Sequence, residues 1–131
     1  MRARGYRLLH APAAVRSMAA WMRRYLEALA VAQYSVSTQR SRRFDLGIFL
    51  EWCVERSLET PGEVSQAVLE RYQKHLFYLR KSDGRPLSAA RQSGHIGNLK
   101  QFFRWLVQHG HLPADPASGL LLPRLPQGVL P

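Results

Sequence analysis

Apolar residues recur at three- and four-residue spacing through four successive stretches of this chain, and nowhere do they alternate strictly with polar ones. Helical spacing gathers such residues on one face, whereas a half-buried strand needs alternation. The pattern admits helices packed on helices and little else. Met18, Met22, Tyr25, Leu26 and Leu29 make the first stripe, behind Ser17, a good N-cap. Leu46, Phe49, Leu50 and Cys53 make the second, in a helix that Ser35 or Ser37 is placed to cap. Leu69, Tyr72, Leu76 and Leu79 make the third, in a helix expected from about Glu63, after the break Thr60-Pro61-Gly62. The turn cluster Ser82–Pro86 then leads to Ser88, which caps a fourth helix. Its inward stripe is Ile96, Leu99, Phe103 and Leu106, with Phe102 beside it, and Gly110 ends it. The expected fold class is all-α, a bundle of four main helices with room for a short fifth near Ala114–Gly119.

At 131 residues the chain makes one compact domain. Residues 1–15, with Arg2, Arg4, Arg7, Gly5 and Pro12, show no sustained period and are expected as a flexible basic leader. Residues 16–111 are expected as the helical domain. Residues 112–131 hold five of the eight prolines and read as an extended linker. The linker also carries Leu120, Leu121, Leu122 and Leu125, so it should pack along something. No run approaches the ~20 apolar residues of a membrane-spanning helix. One cysteine, Cys53, excludes an internal disulfide and a Cys-rich zinc site, and suits a reducing cytosol.

The formal charge is +10. Residues 1–44 carry nine basic and one acidic residue, residues 45–70 one basic and six acidic, and residues 71–131 nine basic and two acidic. Sixteen of the nineteen cations are Arg, the side chain suited to bidentate phosphate contact. A polyanion, most simply nucleic acid, becomes the leading partner class. The second helix is basic at its start and acidic towards its end, which opposes the helix macrodipole. A local rule broken without structural gain points to function. Gly94 and Gly97 inside the fourth helix cost helix propensity. They permit close approach, of a neighbouring helix more commonly than of a ligand.

Catalytic constellations are missing. No HExxH, GxSxG or GxxxxGK[ST] occurs. His109 and His111 lack cysteines or carboxylates nearby except Asp115, so surface histidines explain them better than a metal site. Cys53, Tyr25 and Tyr72 fall on apolar stripes and read as core. No cofactor and no small-molecule substrate is indicated.

The second and fourth helices carry a resemblance. Ser35-Val-Ser-Thr38, followed by Arg43-Phe-Asp45-Leu46 and Phe49-Leu50, resembles the opening of the core-binding domain of tyrosine recombinases, the phage integrase and Xer type. Leu87-Ser88, then Ile96, Leu99-Lys100 and Phe102-Phe103-Arg104-Trp105-Leu106, is similar to that domain's second half. His111-Leu-Pro-Ala-Asp115-Pro116-Ala117 looks like its Asn-Pro-Ala turn, and Leu122 to Pro131 like its proline-rich interdomain linker. Arg42 stands where the family has a tyrosine, Arg91 where it has a threonine, and Asp115 where it has an asparagine.

The resemblance implies an orthogonal, SAM-like helical bundle that forms half of a clamp on a double-stranded recombination half-site, in a cytoplasmic protein of bacterial or phage origin. It implies that the tyrosine nucleophile and its activating set belong to a separate C-terminal domain beginning where this sequence ends. The chain is then expected to bind DNA without cleaving it. It also implies self-association on DNA through the first helix, with Trp21 and Arg24 as contacts.

Residue chemistry agrees with DNA binding. The N-termini of the second and fourth helices can receive phosphates at Ser37, Thr38 and Ser88. Arg40, Arg43, Arg91 and Lys100 are expected on the DNA, with Gln92 and His95 as further contacts, and Arg and Gln can also read base edges. The acidic segment 45–70 is expected mostly on the side away from DNA. The alternative is a helical protein-interaction module with an incidental basic surface.

Overall fold

A computed structural model describes residues 2–125. Five α-helices are present among them, and no strand: α1 (Arg2–His10), α2 (Met18–Val31), α3 (Val36–Glu55), α4 (Gln66–Tyr78) and α5 (Ala89–Gln108). The four sequence stripes correspond to α2–α5. Each of those helices starts at a serine whose Oγ accepts a backbone N–H in the first turn: Ser17, Ser35, Ser65 and Ser88. Ser35, not Ser37, therefore caps α3.

Three expectations change. The third helix begins at Gln66 rather than near Glu63, because Thr60 and Glu63 form a capping box around a separate 3-10 turn, Pro61–Glu63. Residues 114–119 make turns rather than a helix. The fifth helix lies instead at the other end, inside the basic leader. Leu9 is fully buried there, and Gly5 meets Gly47 of α3 so closely that a Cβ on Gly5 would stand 2.6 Å from the Gly47 carbonyl oxygen. Two glycines let the backbones touch, and that contact holds a helix whose sequence has no apolar period of its own.

The core joins all four longer helices through a chain of edge-on aromatic pairs. Tyr25 packs on Phe102 at 5.5 Å, Phe102 on Phe103 at 5.2 Å, Phe103 on Phe49 at 6.2 Å, and Phe49 on Tyr72 at 4.8 Å. Cys53 is fully buried among them, and burial pushes its thiol up to about 12, so it is packing and not a nucleophile. Arg42, in the position of the family tyrosine, donates from Nη1 to the Tyr25 hydroxyl.

The linker packs through Leu120 alone of the leucines expected to pack it, since Leu121, Leu122 and Leu125 are exposed. Ala117 and Leu120 are buried, Lys100 donates to the Leu120 carbonyl at 3.0 Å, and Gln73 donates to the Leu121 carbonyl at 2.6 Å. The remainder of the linker, residues 126–131, lies outside the described residues. No helix of the described residues is long and apolar enough to cross a membrane.

Candidate nucleic-acid interface

The expected site rests on the seam between α3 and α5, and one buried carboxylate organises it. Asp45 is fully shielded and accepts from Arg91 Nη2 at 2.6 Å, Arg91 Nη1 at 3.2 Å and Asn98 Nδ2 at 2.7 Å. Asn98 Nδ2 also reaches Ser41 Oγ at 3.3 Å. A carboxylate left alone at that depth would be costly, and a bidentate guanidinium supplies both its charge and its hydrogen bonds. Asp45 departs from the expectation for the acidic segment, since it lies inside the predicted site with its charge already matched by Arg91. Glu55 lies at the far end of α3, beside Arg4 and Arg56.

The contacts also set how the two helices cross. Arg91 lies over the Phe44 ring at 5.7 Å, while Asn98 meets Ser41. Later residues of α5 meet earlier residues of α3, so the helices cross in opposed sense at Asp45. Their N-terminal turns lie on either side of that crossing rather than side by side.

Within this frame the expected residues divide. Ser37, Arg40 and Ser88 are exposed, Thr38 and Arg43 half-buried. The Ser35 hydroxyl bonds Thr38 Oγ1 at 2.9 Å as well as the Thr38 N–H, which ties off part of that helix end. Arg91 is half-exposed, but both of its terminal nitrogens are engaged by Asp45. Three expected contacts turn inward. Gln92 is buried and donates to the Leu87 carbonyl at 3.0 Å. His95 is buried with Nδ1 3.3 Å from Asp45. Lys100 holds the linker at Leu120.

The sequence contains the signal for the first two. Gln92 precedes Ile96 by four residues and Leu99 by seven, and His95 precedes Leu99 and Phe102 in the same way, so both belong to the apolar face of α5. Sequence reasoning misses Asn98 as a seam residue and Asp45 as its centre. It also expects Gly94 and Gly97 to admit a neighbouring helix, yet a Cβ at Gly97 would meet nothing within 4 Å and one at Gly94 only the Arg91 guanidinium at 3.7 Å. The close helix contact belongs to Gly47. The α5 glycines face open space along the seam's outer side.

At the opposite end, Trp21 packs on His111 at 4.2 Å, and Arg24 lies over the Trp21 ring at 4.3 Å. His109 and His111 belong to this aromatic stack, and no group of three or more His, Cys, Asp or Glu able to hold a metal occurs among the described residues.

The family described as phage integrase, N-terminal SAM-like domain, matches residues 21–110. The chain is 47% identical over 107 residues to "Tyrosine recombinase XerC 2" of Ralstonia nicotianae, covering 82% of this chain and 31% of that protein. It is 32% identical over 90 residues to "Tyrosine recombinase XerC" of Xylella fastidiosa, covering 69% of this chain and 29% of that one. It therefore spans about a third of the length of these curated relatives. No solved structure gives a significant match. With five helices, a SAM-like match over most of its length and close likeness to these recombinases, the chain belongs to the N-terminal SAM-like domain family of tyrosine recombinases and phage integrases.

Proposed function

We propose that this domain binds double-stranded DNA as the N-terminal half of a recombinase clamp on a recombination half-site. The observation that carries the reading is the α3/α5 seam. It sets an N-terminal helix turn to either side of a shared crossing, with Ser41, Asn98 and the open Gly94–Gly97 surface along it, and Arg40 is exposed near the start of α3. Helix N-termini favour phosphates, and glycines without neighbours let a backbone come close. Two phosphate-accepting ends flanking polar side chains suit a groove read between its two strands.

Under this reading Ser37, Thr38, Arg40, Arg43 and Ser88 contact DNA. Arg91 presents only the donors that Asp45 leaves over. Gln92, His95 and Lys100 act from inside, holding the shape of the seam. Bond breaking belongs to other parts of a recombinase, and the compartment is the cytoplasm, where the DNA is. Self-association on DNA through Trp21 and Arg24 is part of the same proposal.

The test is duplex binding across a salt series with Arg40→Glu as the variant. Affinity should fall steeply as salt rises, because released counterions drive phosphate contact. Arg40→Glu should weaken binding by about tenfold, in keeping with the loss of a charge-assisted phosphate contact and the added repulsion. Salt-independent binding, or an Arg40→Glu chain that binds as the wild type does, would favour the protein-interaction alternative.

A further inference from the structure

α1 lies outside the segment that the family match covers, residues 21–110, yet it is docked on α3 at the edge of the proposed DNA surface. The Gly5–Gly47 contact fixes its height, and the next residue, Tyr6, stands above the basic half of α3. Tyr6 is 58% exposed, and its ring packs on His10 at 4.3 Å. Tyr6, Arg40, Arg43, Phe44, Gly47 and Ile48 line an open cleft of about 280 Å³. Its lining combines two arginines and a tyrosine with the apolar Phe44 and Ile48, and no carboxylate residue is among them. Arg43 Nε is buried without a hydrogen-bond partner among the described residues. An orphaned buried donor is costly, and a turn of the side chain that brings it to an acceptor in the cleft recovers that cost. A tetrahedral anion offers several acceptors at once, which matches two arginine forks and a hydroxyl.

We propose that this α1–α3 cleft is a phosphate-binding site, and that the phosphate is one of the DNA backbone, beyond those gripped at the helix N-termini. The identity of the macromolecule rests on the DNA-binding reading above, while the phosphate chemistry rests on the cleft alone. α1 then acts as an added finger that completes the site over Arg40 and Arg43.

Three chains test this: wild type, Tyr6→Ala and Gly5→Leu. Tyr6→Ala removes an exposed side chain and leaves the core intact. Gly5→Leu forces α1 off α3 while Arg40 and Arg43 stay in place. Tyr6→Ala should weaken duplex binding by about fivefold, the order expected for one lost hydrogen bond. Gly5→Leu should weaken it by about tenfold and reduce the salt slope by roughly one phosphate. Phosphate ethylation interference should lose the same backbone position in both variants. In a second arm, inorganic phosphate should shift the Arg43 Nε–H resonance saturably in the wild type and only weakly in Tyr6→Ala.

Wild-type duplex binding with both variants unchanged in affinity and interference overturns the DNA assignment of the cleft. An Arg43 resonance indifferent to phosphate overturns the site itself. A shift with phosphate in a chain that ignores duplex DNA supports the site and removes the DNA reading instead.

Discussion

Asp45 shows how one residue's partners decide a neighbour's titration. The Arg91 guanidinium already balances its charge, so a second cation beside it is not required. His95 is buried next to both. Loss of hydration pushes its imidazole down to about 4, with Asp45 pulling it up and Arg91 pushing it further down. The folded value lies below the ordinary one near 6.5, so the unfolded chain binds the extra proton first. The stability from a neutral His95 is full above pH 6.5 and is lost as pH falls from there towards about 4. The loss should amount to about 3.5 kcal/mol at most, at about 1.4 kcal/mol for each pH unit between the folded and unfolded values. Urea unfolding at stepped pH checks it, and His95→Phe should flatten the profile over that interval.

Removing the carboxylate itself is expected to cost more at neutral pH than removing the histidine. Asp45→Ala leaves Arg91 and Asn98 without their shared acceptor. The Arg91 side chain is 39% exposed, so water recovers part of the loss. A destabilisation of about 2–3 kcal/mol follows, below the range for a wholly buried pair. An Asp45→Ala chain as stable as the wild type in urea would show that the seam is held by packing alone.

Among the elements, the glycines separate what is packed from what is open. Gly5 and Gly47 touch, whereas Gly94 and Gly97 face outward. Gly5→Ala should displace α1 and forfeit the burial of Leu9, about 2 kcal/mol. Gly97→Ala should do the opposite and stabilise by up to about 1 kcal/mol, since helix propensity improves and nothing is hit. Thermal melts of the two variants moving in the same direction would contradict this assignment. Gly94→Leu extends the contrast to function: stability should hold while duplex affinity drops, if a DNA backbone approaches that surface.

The same comparison explains what is legible in the sequence. α2, α3 and α5 announce themselves because an apolar stripe and a capping serine coincide, and α4 by its stripe, its Ser65 cap going unread behind the Thr60–Glu63 turn. α1 does not, because what docks it is the absence of side chains at Gly5 and Gly47, which composition and period cannot register. The exposure of three candidate contacts, Ser37, Arg40 and Ser88, accords with their reading as helix-start and charged residues. The inward placement of Gln92 and His95 follows from the face of α5 they occupy rather than from their chemistry, whereas that of half-buried Lys100 depends on the returning linker. Polar residues on an apolar face need partners, and here those partners are the Leu87 and Leu120 carbonyls and the region of Asp45, which helical spacing along α5 does not reveal.

Across the whole molecule, the folded unit is larger than the segment the family match covers. It begins with α1 and runs past α5, because the linker turns back over α4 and α5 as far as Leu121. Lys100 is the joint. Its ammonium holds the Leu120 carbonyl, Leu120 is buried, and the Asp115 carboxylate fixes the turn by accepting from the Ala117 N–H at 2.8 Å. If the cation serves the linker, Lys100→Met keeps the stem's packing and loses only the charged hydrogen bond. Stability should then fall by about 1–2 kcal/mol. Duplex affinity should stay within about twofold, since a cation committed internally contributes little to phosphate contact. Trypsin should cut the variant faster after Arg124, which follows the docked segment. The contrast with Arg40→Glu is the deciding comparison. A Lys100→Met chain that keeps its melting temperature but loses DNA affinity would return Lys100 to the DNA surface and leave the linker held by Leu120 and the Gln73 hydrogen bond.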